Sequence, residues 1–239
     1  MVSTLPDKIA LVTGGTGGLG RAVALAFLRQ DYKVAVTYRV PEEWEALHSE
    51  AGDKKENLEG NSLDVTEETA VSALIANLVE KHGRLDALVN TVGAYAGGIR
   101  LWEMDTNVFD RMLALNLRSG FVLCRATVPV MLRQGGGSIV NVAAKAAFDH
   151  ASGASAYAAS KAAAVAMVDS LAADLKGTGV RVNSIVPSII DTDANRRAMP
   201  KSDFAKWPKP EDIARVIAFL CSEDARVVHG ASIPVYGDS

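Results

Sequence analysis

Tyr157 and Lys161 stand four residues apart in Tyr157-Ala158-Ala159-Ser160-Lys161, at the start of an alanine-rich stretch. On a helix that spacing puts phenol and ammonium on one face, where the lysine's charge is expected to lower the tyrosine's pKa. A phenol so tuned can deliver a proton in a reduction. The same pair also occurs on solvated helix faces that do no chemistry, so the rest of the chain has to decide between the two. Thirteen residues before the tyrosine stands Ala144, which has no hydroxyl.

A second chemical signal lies near the N-terminus. Thr13-Gly14-Gly15-Thr16-Gly17-Gly18-Leu19-Gly20 follows an apolar run and opens a helical pattern at Arg21-Ala22-Val23. Glycines let backbone approach a pyrophosphate closely, and a helix N-terminus offers unpaired N–H groups and a positive dipole end. The spacing Gly14-x-x-x-Gly18-x-Gly20 differs from the GxGxxG fingerprint, but strand before and helix after favour a dinucleotide over a purely structural turn. At the end of the next strand, Val36-Thr37-Tyr38-Arg39 lacks the acid that would bind a free ribose 2′-hydroxyl. Arg39 there suits a 2′-phosphate, so NADP is expected, with NAD as the alternative.

These residues need a scaffold. Short apolar runs near 8 to 12, 33 to 38, 58 to 63, 85 to 89, 138 to 142, 180 to 186 and 232 to 235 read as strands. Helical patterns fall near 18 to 30, 41 to 50, 67 to 81, 104 to 117, 119 to 134, 156 to 176 and 210 to 221. The alternation predicts an α/β doubly wound Rossmann fold, with a seven-stranded parallel sheet covered on both faces, as one domain over 1–239. Residues 53 to 60 read as a surface loop. Thr192 to Pro210, with three prolines and no clear periodicity, reads as one long connection suited to a lid or a passive loop.

Composition narrows the partners. With 239 residues, 49% hydrophobic and 22% charged, and a net charge of −3, the chain has the core of one domain and no basic footprint for nucleic acid or an anionic membrane. A small-molecule substrate is favoured. The absence of a long apolar segment or a cleavable leader predicts a cytoplasmic protein. Cys124 and Cys221 lack metal-ligand spacing and read as reduced core residues, so no metal is expected.

Taken together, these features resemble the short-chain dehydrogenase/reductase family over essentially the full chain. Residues 13 to 20 match its TGxxxGxG motif, and Tyr157 with Lys161 its YxxxK motif. The resemblance implies adenine contacts from Asp64 and Val65, a turn from Asn90 to Gly93, and nicotinamide contacts from Pro187 and Thr192. It also implies a relay asparagine, Asn116, behind the catalytic pair Tyr157 and Lys161, and a homodimer or homotetramer packed through residues 104 to 134 and 156 to 176.

One departure bears on chemistry: the family's catalytic serine falls at Ala144. The segment from Ala144 to Asp149 resembles that of dihydropteridine reductases, which share the alanine. So do Asp191 to Trp207 and the glycine-rich Ala94-Tyr95-Ala96-Gly97-Gly98. A quinonoid dihydropterin is electron-accepting by its own conjugation and needs a proton more than carbonyl polarisation. The resulting expectation is an NAD(P)H-dependent reductase of such an acceptor. A general ketone or 3-oxoacyl reductase and a catalytically silent nicotinamide-binding sensor stay open beside it, as does replacement of the missing hydroxyl by Ser152 or Ser155; Lys145 is adjacent but points to the opposite side if the strand continues.

Overall fold

The computed structural model describes residues 8–239, so the first seven residues of the expected domain lie outside the described ones. Seven parallel strands run in the order β3-β2-β1-β4-β5-β6-β7. They are β1 (Ile9–Thr13), β2 (Lys33–Tyr38), β3 (Leu58–Ser62), β4 (Ala87–Asn90), β5 (Gly137–Val142), β6 (Val180–Pro187) and β7 (Ser232–Val235). Around them lie α1 (Gly18–Arg29), α2 (Pro41–Glu50), α3 (Glu68–His82), α4 (Thr106–Leu113), α5 (Ser119–Gln134), α6 (Ser155–Asp174), α7 (Asp193–Ala198) and α8 (Pro210–Cys221).

Strand alternation divides the core in two. Ala10 and Val12 of β1 point to the side of α1 and α8, where Phe27, Leu28, Ile213 and Ile217 are buried with them. Ile9 and Leu11 point to the other side and pack with Leu78, Leu123, Met131 and Val168 of α3, α5 and α6. Both faces are therefore apolar, which is why the strands read as continuous hydrophobic runs.

The order in which successive strands are laid down reverses between β1 and β4. The two strands pair in register, Thr13 opposite Asn90, so the loops that follow them leave the sheet side by side. Such a switch point opens a crevice beyond the carboxyl ends of the strands.

Three expectations are corrected. The helix expected from 104 begins at Thr106, because Asp105 caps it by accepting from the Asn107 N–H at 2.7 Å. Its end continues into α5 through a π-helical turn, Ala114–Arg118, which carries Asn116. Residues Gly52–Asn57 of the expected loop form a 3₁₀ turn, and β3 follows at once. The long connection after β6 contains α7, six residues too short to show a period. A cap and an ion pair make it instead: Thr192 Oγ1 accepts from the Asn195 N–H at 3.2 Å, and Arg196 donates to Asp191 at 2.5 and 2.8 Å.

Candidate active site

The loop from β1 to α1 is shaped by contacts that leave no room for side chains. Gly14 has φ +67°, a left-handed conformation. A Cβ on Gly20 would overlap the Gly14 carbonyl, and one on Gly18 would stand 2.7 Å from Thr192 Cγ2. The loop is anchored to β2, since Gly14 N–H donates to Thr37 Oγ1 at 3.0 Å and Gly15 N–H to the Thr37 carbonyl at 3.0 Å. Gly17, at the N-cap of α1, brings no side-chain cap. The first-turn N–H groups over Gly18, Leu19 and Gly20 are thus left to a ligand or to water. Leu19 turns its side chain into the core, so only its backbone can serve the loop.

A cleft of about 270 Å³ opens from this loop, lined by Gly14, Thr16, Tyr38, Arg39, Glu43, Asp64, Val65 and Gly93 among others. Six of the residues singled out from the sequence for a cofactor thus meet in one cavity. Arg39 forms an ion pair with Asp64 across its floor. The Thr66 hydroxyl and backbone N–H, at 2.7 and 2.9 Å, together with Arg39, hold the Asp64 carboxyl below the usual carboxylate range.

Asn90 is not on the cleft wall. Its Oδ1 accepts from the Thr13 hydroxyl at 2.9 Å and from the Val92 N–H at 3.2 Å, and its Nδ2 donates to Asn141 Oδ1 at 3.2 Å. The amide thereby ties β1, β4 and β5 together and shapes the turn to Gly93.

Gly93 is where the two motifs meet. A Cβ there would stand 2.9 Å from Asn116 Oδ1 and 3.2 Å from Lys161 Nζ. Asn116 accepts from the Ala94 N–H at 2.9 Å, and donates to the Ala94 carbonyl and to Ser160 Oγ at 3.0 Å each. The π-helical turn presents this side chain inward, a common use of such turns at functional sites. Lys161 is 5% exposed and donates to the Val142 carbonyl at 2.8 Å.

The expected lowering of the Tyr157 pKa gives way to a net rise. Burial pushes the Tyr157 phenol up to about 12, and the neighbouring Tyr95 adds to the rise. Burial also pulls the Lys161 ammonium down to about 8. Sequence spacing reports the shared helix face but not the desolvation, which is the leading cause of both shifts.

Tyr95, which the sequence places only in a glycine-rich loop, is brought against Tyr157 by the fold. Its ring meets that of Tyr157 edge to face, centroids 4.9 Å apart, while 70% of the residue stays exposed. A Cβ on Gly97 would overlap the Tyr95 hydroxyl, so this hydroxyl folds back over Gly97 and the ring is what Tyr95 presents to Tyr157. The signal available in the sequence was an aromatic residue between small ones, two positions after Gly93.

Ala144 is buried where β5 gives way to a 3₁₀ turn, Lys145–Ala147, that packs on α6 through Ala147 and Val165. The three side chains considered as substitutes for its missing hydroxyl lie elsewhere. Lys145 Nζ sits 5.1 Å over the Tyr236 ring, and Ser152 is exposed. Ser155 precedes Tyr157 by two helical residues and so faces away from it. Pro187 ends β6, and Thr192 caps α7 against Gly18.

Among the described residues no helix is long and apolar enough to cross a membrane, and no group of three or more His, Cys, Asp or Glu could hold a metal ion. Burial pushes both Cys124 and Cys221 up to about 12, which leaves them as inert thiols.

The short chain dehydrogenase family model matches residues 8–203. The 3-oxoacyl-[acyl-carrier-protein] reductase FabG of Thermotoga maritima is 31% identical, with 98% of each chain covered. D-threitol dehydrogenase of Mycolicibacterium smegmatis is 34% identical over 98% of this chain and 93% of its own. The solved structure of ElxO with NADP bound superposes with a TM-score of 0.91 at 28% identity, covering 97% of this chain and 98% of that one. The chain belongs to the short-chain dehydrogenase/reductase family of oxidoreductases.

Proposed function

We propose that the protein is an NADPH-preferring reductase of a small conjugated acceptor, most specifically a quinonoid dihydropteridine. The observation that carries this reading is a buried methyl at Ala144, with none of the three weighed side chains in its place, together with a Tyr157 phenol that burial keeps protonated. Removing one donor from an oxyanion site costs on the order of 10²–10³ in rate when the reaction needs it. An acceptor activated by its own conjugation avoids that cost.

The residues of the cleft suit a nicotinamide dinucleotide: an uncapped helix N-terminus, a loop that tolerates no Cβ at Gly18 or Gly20, and a cation at the end of β2. The backbone of Gly14, Thr16, Gly18, Leu19 and Gly20 would hold the pyrophosphate, Asp64 and Val65 the adenine, and Arg39 a 2′-phosphate. Pro187 and Thr192 would hold the carboxamide. A nicotinamide bound there supplies the hydride. Lys161 would hold its ribose, and Asn116 would fix the backbone at Ala94 beside Lys161. Tyr157, protonated throughout the neutral range, would give its proton to the acceptor. The Tyr95 ring offers a planar substrate an exposed aromatic wall beside the donor.

The relatives named as a 3-oxoacyl reductase and a threitol dehydrogenase favour a second reading, a carbonyl or polyol substrate, against which Ala144 stands. Purified protein, given quinonoid dihydropterin generated in situ, is expected to oxidise NADPH. Tyr157→Phe is expected to lower that rate by about 10²–10⁴. Absence of turnover with either nicotinamide would overturn the substrate assignment.

A further inference from the structure

The end of the cleft assigned above to the 2′-phosphate is more acidic than the end of β2 suggests. Arg39 is already engaged by the Asp64 carboxylate. In the same cleft Glu43, in the first turn of α2, reaches across 27 residues of sequence to accept a hydrogen bond from Thr16 Oγ1 at 2.9 Å. Thr16, Arg39, Glu43 and Asp64 all line the same cleft. One cation therefore shares that end with two carboxylates. A first-turn glutamate is ordinarily explained by the helix dipole. That explanation covers Glu42 equally, but Glu42 does not line the cleft.

We propose that Glu43 is a cofactor-selecting residue: its carboxylate, held against the phosphate loop by Thr16, opposes the 2′-phosphate that Arg39 attracts and so keeps the preference for NADPH over NADH small. The inference rests on the dinucleotide reading of the cleft. A phosphate dianion entering beside Arg39 meets the field of Glu43, whereas a free 2′-hydroxyl does not. Replacing the carboxylate by an amide keeps the size and an acceptor for Thr16 and removes the charge alone. Across several ångströms of wet cleft, one charge acting on a dianion is worth about three- to tenfold in affinity.

The test is fluorescence titration of NADPH and NADH into wild type, Glu43→Gln and Glu42→Gln, at low and high salt. Glu43→Gln is expected to tighten NADPH about three- to tenfold more than NADH, any effect on the shared pyrophosphate moving both alike, and the difference to shrink with salt. Glu42→Gln is expected to change the ratio of the two affinities by less than about twofold. An unchanged ratio in Glu43→Gln, or an equal shift in Glu42→Gln, would overturn the proposal while leaving the dinucleotide reading in place. A wild-type protein that binds neither nucleotide would overturn both.

Discussion

The glycine-lined cleft and the surroundings of Tyr157 are built on different principles. In the first, backbone does the shaping: Gly14, Gly18 and Gly20 are pinned by contacts that exclude side chains, and Asn90 spends both ends of its amide inside the sheet. In the second, an exposed side chain does it. Tyr95, against the Tyr157 ring, is 70% exposed and sits in the irregular connection after β4 rather than on a strand. A scaffold that binds one cofactor can keep its backbone wall constant, while the substrate wall is free to change with side-chain identity.

Breaking the first should cost stability, and breaking the second should cost only function. The largest effect is expected from Asn90→Ala, which leaves the Thr13 hydroxyl and the Val92 N–H without their buried acceptor. A loss of about 1–3 kcal/mol in urea unfolding is expected. A loss below a few tenths would show that the network is not what holds the crevice.

Tyr95→Ala comes next. The acceptor's KM should rise by about two- to tenfold, the worth of one aromatic contact, with the melting temperature unchanged because the side chain is mostly in water. A lowered melting temperature with an unchanged KM would make the two regions alike.

The smallest effect is a pH dependence. Lys161 has a folded pKa of about 8 against an ordinary 10.5, so between those values the unfolded chain binds a proton that the folded chain does not. Stability from this group is therefore fully present above 10.5 and is lost as pH falls through about 8. The melting temperature of wild type minus that of Lys161→Met should be flat below about pH 8 and climb from there toward pH 10. Above pH 10 Tyr157 acts in the opposite direction, because its folded pKa of about 12 keeps a proton that the unfolded chain releases. A flat difference throughout would mean that the lysine is solvated.

The same contrast sets what could be read from the sequence. The phosphate loop was legible because only glycine fits where Gly20 meets Gly14, and strand alternation was legible because both sheet faces are buried. The short helix α7 was not, since a cap at Thr192 and a pair between Asp191 and Arg196 make it, with no apolar period to follow. Glu43 against Thr16 and Tyr95 against Tyr157 are meetings of residues distant in sequence, set by how α2 and the loop after β4 pack. The direction of the Tyr157 shift is not legible for a related reason: spacing shows the neighbour, while burial depends on the whole fold.

The central claim is that Ala144 marks an acceptor that needs a proton from Tyr157 but no second hydroxyl, and Ala144→Ser tests it most directly. NADPH oxidation would be measured for wild type and variant with a simple ketone and with quinonoid dihydropterin. The serine is expected to raise ketone reduction by about 10²–10³ and to leave dihydropterin reduction within about threefold. Efficient ketone reduction by the wild type, with no gain from the serine and no turnover of dihydropterin, would contradict the account.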